Sequence, residues 1–255
     1  MKRLLVILQF MSRIPINRSF NVTREDYAKA IVYFPIVGLI VGFVVSLPIY
    51  FIQNMYSPFL TSILGVILYI FVTGGIHLDG FSDTCDGFFS GRSREKILEI
   101  MKDSRLGTFG GVGLILIIAT KWALYFEIIN NGINKNILEY LSIILASTIA
   151  SRSIVIYFAY KRKYARDNEG LGDLFIGKIT PDKFYINQGL CIVLLAIINY
   201  KLLIAYFVTL ILMLLVRKSI ENTLKGVTGD ILGFSIEVSE VVFMFLSLGV
   251  MGLWN

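Results

Sequence analysis

The only histidine of the chain and four of its aspartates fall close together. They lie in His77-Leu78-Asp79-Gly80-Phe81-Ser82-Asp83-Thr84-Cys85-Asp86-Gly87 and in the following Lys102-Asp103-Ser104-Arg105. Asp79, Asp83 and Asp86 stand at i, i+4 and i+7, so a helix would set all three on one face. Three carboxylates on one face repel one another at neutral pH. Folding does not ask for that arrangement, and a bound cation explains it. Ligands that are all oxygen select a hard ion, Mg²⁺ or Mn²⁺, and Mg²⁺ commonly takes one or two carboxylates together with substrate phosphates. A solvated polar loop is the plainer reading of any one of these aspartates. It serves poorly for three on one face with Asp103 close behind. Gly80, Gly87 and Gly91 add room for backbone and ligand to approach closely.

The elements that must position this stretch are greasy. Of 255 residues 56% are hydrophobic and 16% charged, with a mean hydropathy of +0.73; a soluble domain carries about 25% charged residues. The composition predicts an all-α, polytopic integral membrane protein in one domain, residues 1–255. Seven spans are expected, over 30–52, 58–76, 109–129, 137–160, 184–198, 202–216 and 235–254, the last ending at Trp254. The fifth and sixth are divided at Asn199-Tyr200-Lys201, because one uninterrupted helix there would be too long for a bilayer. Residues 77–108 form the acidic motif loop, in which 94–101 reads as an amphipathic helix. Leu4–Met11 is too short for a signal peptide and reads as a short interfacial or re-entrant helix, and Thr23 as a helix N-cap. Gly38 and Gly42 form a small-xxx-small pair for close helix packing. Cys85 and Cys191 lie in different contexts and do not read as a disulfide, and no Cys/His set surrounds Cys85 for zinc.

The net charge of +6 is a matter of loops and gives no reason to expect nucleic acid. Twenty Lys/Arg lie on the side of the N-terminus and two, Lys135 and Lys201, on the other. The positive-inside rule then sets the N-terminus and the acidic motif in the cytoplasm, at the cytoplasmic membrane. Lys121, Arg152 and Glu237 fall within or at the edge of spans. Such charges either snorkel to the interface or face an interior cavity with a partner. Glu240 reads equally well as interfacial. The Gly226-Val227-Thr228-Gly229-Asp230 turn offers one more carboxylate to the same site. A phosphorylated substrate would explain why carboxylates and buried cations occur together.

The segment from Gly75 to Gly87, with Ile100-Met101-Lys102-Asp103-Ser104-Arg105-Leu106-Gly107-Thr108-Phe109-Gly110, resembles the signature of the cobalamin synthase family, the adenosylcobinamide-GDP ribazoletransferases. Weaker likenesses follow in the family's order. They are Arg13-Ile14-Pro15, Pro35-Ile36-Val37-Gly38-Leu39, Ala165-Arg166 with Gly170-Leu171-Gly172, and Thr228-Gly229-Asp230 with Gly233 and Glu237. Phe81-Ser82 and Leu106 depart from the commoner residues without touching an ionisable group. The resemblance implies joining of adenosylcobinamide-GDP to α-ribazole, or to its 5′-phosphate, with release of GMP and a requirement for Mg²⁺. Metal would be held by Asp79, Asp83 and Asp86, with Asp103 as a further ligand or as the base, and His77 as the other base candidate. Lys102, Arg105, Arg152 and Arg166 are candidate phosphate contacts. Ser104, Thr228, Asp230 and Glu237 complete the candidate substrate site. Neighbouring enzymes of the cobalamin pathway are expected partners in a membrane assembly.

Two other readings stay open. CDP-alcohol phosphotransferases also use spaced aspartates at a membrane face, but their Asp-Gly is followed by Ala-Arg and two more Asp, whereas Asp86-Gly87 is followed by Phe88-Phe89-Ser90-Gly91. An ion-coupled transporter would set its acidic groups near the bilayer midplane in broken helices. The aspartates here lie past the expected end of a span.

Overall fold

The computed structural model describes residues 2–167 and 170–253. Helices account for the ordered elements: α1 (Lys2–Met11), α2 (Arg24–Ala30), α3 (Phe34–Ile52), α4 (Pro58–Thr73), α5 (Ile76–Phe89), α6 (Arg94–Ile100), α7 (Thr108–Asn134), α8 (Ile137–Ile154), α9 (Ile156–Ala159), α10 (Pro181–Asn199), α11 (Leu202–Leu224) and α12 (Gly229–Leu253). Two 3₁₀ turns, Ile31–Tyr33 and Leu171–Leu174, join them. Six helical stretches are long and apolar enough to cross a membrane, and the bent pair α4–α5 raises the number to seven. The chain is a polytopic helical membrane protein. The split between the fifth and sixth spans falls where expected, α10 ending at Asn199 and α11 starting at Leu202.

The largest difference from expectation lies in the acidic stretch. Much of the supposed loop is helix. Gly74 and Gly75 both take left-handed backbone conformations, φ 65° and 70°, which end α4 and swing the chain through 93° into α5. Glycine adopts such angles without a Cβ penalty. The chain then resumes a helix because Leu78, Phe81 and Cys85 recur on one side and bury against Ile117 of α7. α4 has 16 residues, so it rises only about 24 Å and falls short of a bilayer core alone.

Three boundaries shift outward. α7 continues past Ile129, and α11 continues past Val216, its last turns carrying an Arg217–Glu221 ion pair one turn apart. α12 begins at Gly229 instead of Ser235, because the Thr228 hydroxyl accepts the Ile231 N–H at 3.3 Å and caps the helix. The expected end of the last span, Trp254, lies outside the described residues. Two local readings agree with the structure: Thr23 and Asp26 form a reciprocal capping box at α2, and Arg94–Ile100 is a short helix.

α12 runs through the middle, packed on α5, α7, α8 and α11. α3 lies against α8 through the expected pair of glycines. A Cβ on Gly38 would come within 2.7 Å of the Ile149 Cα, and Thr148 donates its hydroxyl to the Gly38 carbonyl at 2.7 Å. Small residues at such a crossing let the backbones touch, which is how helices associate without a hydrophobic driving force between them.

Candidate active site

α5 carries the aspartates and is held between the N-terminal turns of α7 and α12. Toward α12 the contact is backbone on backbone: a Cβ on Gly80 would meet the Asp230 carbonyl oxygen at 2.8 Å, and one on Gly233 the His77 carbonyl oxygen at 3.1 Å. Toward α7, Asp86 receives the Gly107 N–H and the Gly110 N–H, one on each carboxylate oxygen, both at 2.8 Å. The first amides of a helix have no partner within it, and a carboxylate placed there satisfies them and complements the helix dipole. Asp86 therefore locks α5 to the start of α7.

Asp79 and Asp83 differ from Asp86. Neither carboxylate makes a hydrogen bond or ion pair among the described residues. Asp83 sits within electrostatic reach of Asp79, Asp86 and Asp230, with Arg166 as the nearby cation. Asp79 lines two cavities. The first, of about 290 Å³, also includes His77, Tyr164, Arg166 and Asp230. The second, of about 320 Å³, also includes Asp83, Ser82, Ser104 and Arg105. His77 is buried and its Nε2 has no partner, and the Nε of Arg166 is likewise buried and unpaired. Arg166 otherwise donates to Asp230 at 2.6 Å and to the Met101 carbonyl at 3.1 Å. The Thr228 hydroxyl donates to Asp230 at 3.2 Å. Thr228 thus caps α12 and orients Asp230, which orients Arg166.

The structure separates several of the sequence candidates from this centre. Asp103 lies in the α6–α7 connection and is gripped by Arg105, whose guanidinium reaches its Oδ2 at 2.6 Å and whose amide reaches its Oδ1 at 3.0 Å. The hydrogen bonds and charge of Arg105 hold the Asp103 carboxyl down at about 2. Asp103 is thus occupied by Arg105 and lines neither cavity at Asp79. Lys102 faces a different groove, shared with Arg94, Glu99 and Arg166.

Arg152 and Glu237 line neither cavity at Asp79. They belong to a closed network in the bundle interior. Lys121 Nζ binds Glu237 at 2.7 Å and Glu240 at 2.8 Å, Arg152 pairs with Glu240, and the Tyr69 hydroxyl donates to Glu237 at 3.2 Å. Lys121 also sits 3.8 Å over the Tyr69 ring. Two cations and two carboxylates balance, so each charge is matched without substrate and without snorkelling. Glu240, for which an interfacial place reads equally well in the sequence, lies in this network, and Tyr69 has no sequence signal beyond a phenol in an apolar run.

Among the described residues no three His, Cys, Asp or Glu side chains are grouped to hold a metal between them. The donor chemistry still suits a hard divalent ion at Asp79 and Asp83: both are free of protein partners, one helical turn apart, and already crowded by like charge. Asp86 is committed to α7 and Asp103 to Arg105. Sequence reading also passed over the aromatic wall of the first cavity, formed by Phe10, Phe34, Tyr164 and Phe175. These residues come from four distant segments and carry no common spacing, so no sequence pattern points to them.

Free carboxylates and a guanidinium set between two cavities, in a bundle of membrane-length helices, define an integral membrane protein with a polar, charged site. The family described as cobalamin-5-phosphate synthase (CobS) matches residues 3–248. The adenosylcobinamide-GDP ribazoletransferase of Escherichia coli (strain K12 / DH10B) is 37% identical over 246 residues, covering 95% of this chain and 97% of that one. The protein of the same name from Shigella dysenteriae serotype 1 (strain Sd197) is similar to the same extent. No solved structure matches the chain. The chain belongs to the cobalamin-5-phosphate synthase family.

Proposed function

We infer that this chain has adenosylcobinamide-GDP ribazoletransferase activity in cobalamin biosynthesis. It moves the adenosylcobinamide-phosphate part of adenosylcobinamide-GDP to α-ribazole, or to α-ribazole 5′-phosphate, and releases GMP. Family membership supports the reaction. The observation that carries the site is the pair Asp79 and Asp83, unpartnered and one turn apart, with Arg166 on one side and Arg105 on the other.

In the reaction a ribose hydroxyl of the acceptor forms a new bond to the phosphorus that carries cobinamide. The bond from that phosphorus to the bridging oxygen breaks, and the bridging oxygen leaves with GMP. Mg²⁺, or Mn²⁺ in its place, held by Asp79 and Asp83, would supply charge neutralisation for the diphosphate. Arg105 binds phosphate oxygens of the donor, and Arg166 those of α-ribazole 5′-phosphate; the free Nε of Arg166 leaves it a donor to spare while Asp230 fixes its plane. Holding the two substrates in register removes much of the entropic barrier. His77 Nε2, buried and unpartnered, takes the hydroxyl proton. The phosphates sit on the cytoplasmic side of the cytoplasmic membrane in this reading, which the charge asymmetry of the loops supports.

The test is GMP release from purified protein in detergent. Adenosylcobinamide-GDP and α-ribazole together with Mg²⁺ should give GMP, and omission of either substrate or chelation of the metal should stop it. A folded preparation that releases no GMP under these conditions refutes the assignment.

A further inference from the structure

The two cavities that share Asp79 differ in shape and chemistry. The first is walled by an aromatic cluster. Phe10 and Phe34 each meet Phe175 edge to face, with ring centroids 5.5 Å apart in both pairs. Ile76, Leu232 and Ile236 close its other sides. Its polar groups are few: Asp79, Tyr164, His77 with its unpartnered Nε2, and the Arg166–Asp230 pair. A mostly apolar chamber with aromatic side chains on one part of its wall and a few polar groups is the common form of a small-molecule site. At about 290 Å³ it admits a nucleoside, and a corrin macrocycle is several times too large. The second cavity has no aromatic wall. Its donors, Ser104 and Arg105, are exposed on the α6–α7 connection, and Leu106 beside them is 64% exposed.

We propose that the first cavity is the acceptor subsite, taking a riboside with a flat aromatic base, and that the diphosphate of the donor lies in the second cavity against Ser104 and Arg105. This assignment rests on the transferase reading above. The base lies among Phe10, Phe34 and Phe175, where edge and face contacts favour a flat ring. The ribose points to His77 and Asp79. The bulk of the corrinoid stays outside, past the exposed Leu106 just before α7. Asp79, common to both cavities, marks where the attacking oxygen and the phosphorus meet. The division also accounts for the unpaired His77 Nε2: a buried polar atom without a partner is costly, and an acceptor hydroxyl would satisfy it.

The experiment compares wild type with Leu232→Trp, which fills the first cavity, and Arg105→Gln, which disarms the second. Binding of α-ribazole and of adenosylcobinamide-GDP is measured separately by equilibrium titration in detergent, alongside KM for each substrate. Ile76→Phe, at a partly exposed wall position, repeats the filling test if Leu232→Trp does not fold. The expected result is at least tenfold weaker α-ribazole binding in the filled variants with donor binding within twofold of wild type, and the reverse for Arg105→Gln. Filled variants that lose donor affinity, or that keep full α-ribazole affinity, overturn the subsite assignment while wild-type GMP release still stands. A wild type that binds neither substrate and releases no GMP overturns the transferase reading and this proposal with it.

Discussion

At the scale of single residues, the aspartates of the motif divide by what already occupies their oxygens. Asp83 and Asp79 are free, Asp86 caps α7, and Asp103 is clamped by Arg105. Asp83→Asn should lower kcat/KM by at least about 100-fold, the range of losing electrostatic stabilisation of a reacting phosphate, with the thermal midpoint no lower than that of wild type, because no protein partner is lost and repulsion from neighbouring carboxylates is relieved. Asp103 titrates differently from an ordinary carboxylate. Held near 2 by Arg105, it is ionised in the folded protein throughout the working range. Its contribution to stability is present above the ordinary carboxylate pKa and is lost only as the pH falls toward 2. Asp103→Asn should therefore leave the shape of the pH–rate profile between about pH 5 and 9 as it is in wild type. A lost basic or acidic limb in that variant would return Asp103 to the role of base.

At the scale of elements, the site depends on how closely α5 approaches α7 and α12. Gly80 faces backbone atoms of Asp230, which cannot swing aside as a side chain would. Gly80→Ala should cost about 1–3 kcal/mol through overpacking, visible as a lower thermal midpoint and reduced turnover. Gly189, in α10, is the contrasting position. A Cβ there meets nothing within 4 Å, so Gly189→Ala should be neutral or stabilise by about 0.5–1 kcal/mol. A loss at Gly189 equal to that at Gly80 would show that close helix contact does not set the first effect. The 93° turn at Gly74-Gly75 belongs to this scale too. It lets one hydrophobic hairpin supply most of a crossing and then bring its polar helix against two neighbours.

At the scale of the whole molecule, the bundle is keyed by the buried network of Lys121, Glu237, Glu240 and Arg152. It joins α7, α8 and α12 and touches α4 through Tyr69. Lys121→Ala leaves two carboxylates facing one guanidinium, and should lower stability by about 3–5 kcal/mol. Adding Glu237→Gln should recover part of that loss, since one uncompensated charge is removed with it. Thermal unfolding of the three proteins in detergent measures both effects. If the double variant is no better than the single, the network is not a balance of charge. Its neutrality also explains why Arg152 and Glu237, which resemble substrate ligands on the page, are already satisfied by each other's neighbours.

The sequence by itself determined the class and the chemistry. Hydropathy fixes membrane helices because a bilayer leaves the backbone no other way to satisfy its polar groups. The rare run of aspartates around Asp83 marks the candidate site because nothing else in so apolar a chain explains it, and the same run carries the family signature. Only the tertiary structure decided which aspartates are available and where each buried charge goes. Asp79 and Asp86 are alike as letters. They differ because the Gly107 and Gly110 amides, more than twenty residues along the chain, fall on one and not the other. The aromatic chamber of Phe10, Phe34, Tyr164 and Phe175 was invisible for the same reason. A contact between distant segments leaves no periodicity in a single sequence, and packing alone brings them to one place.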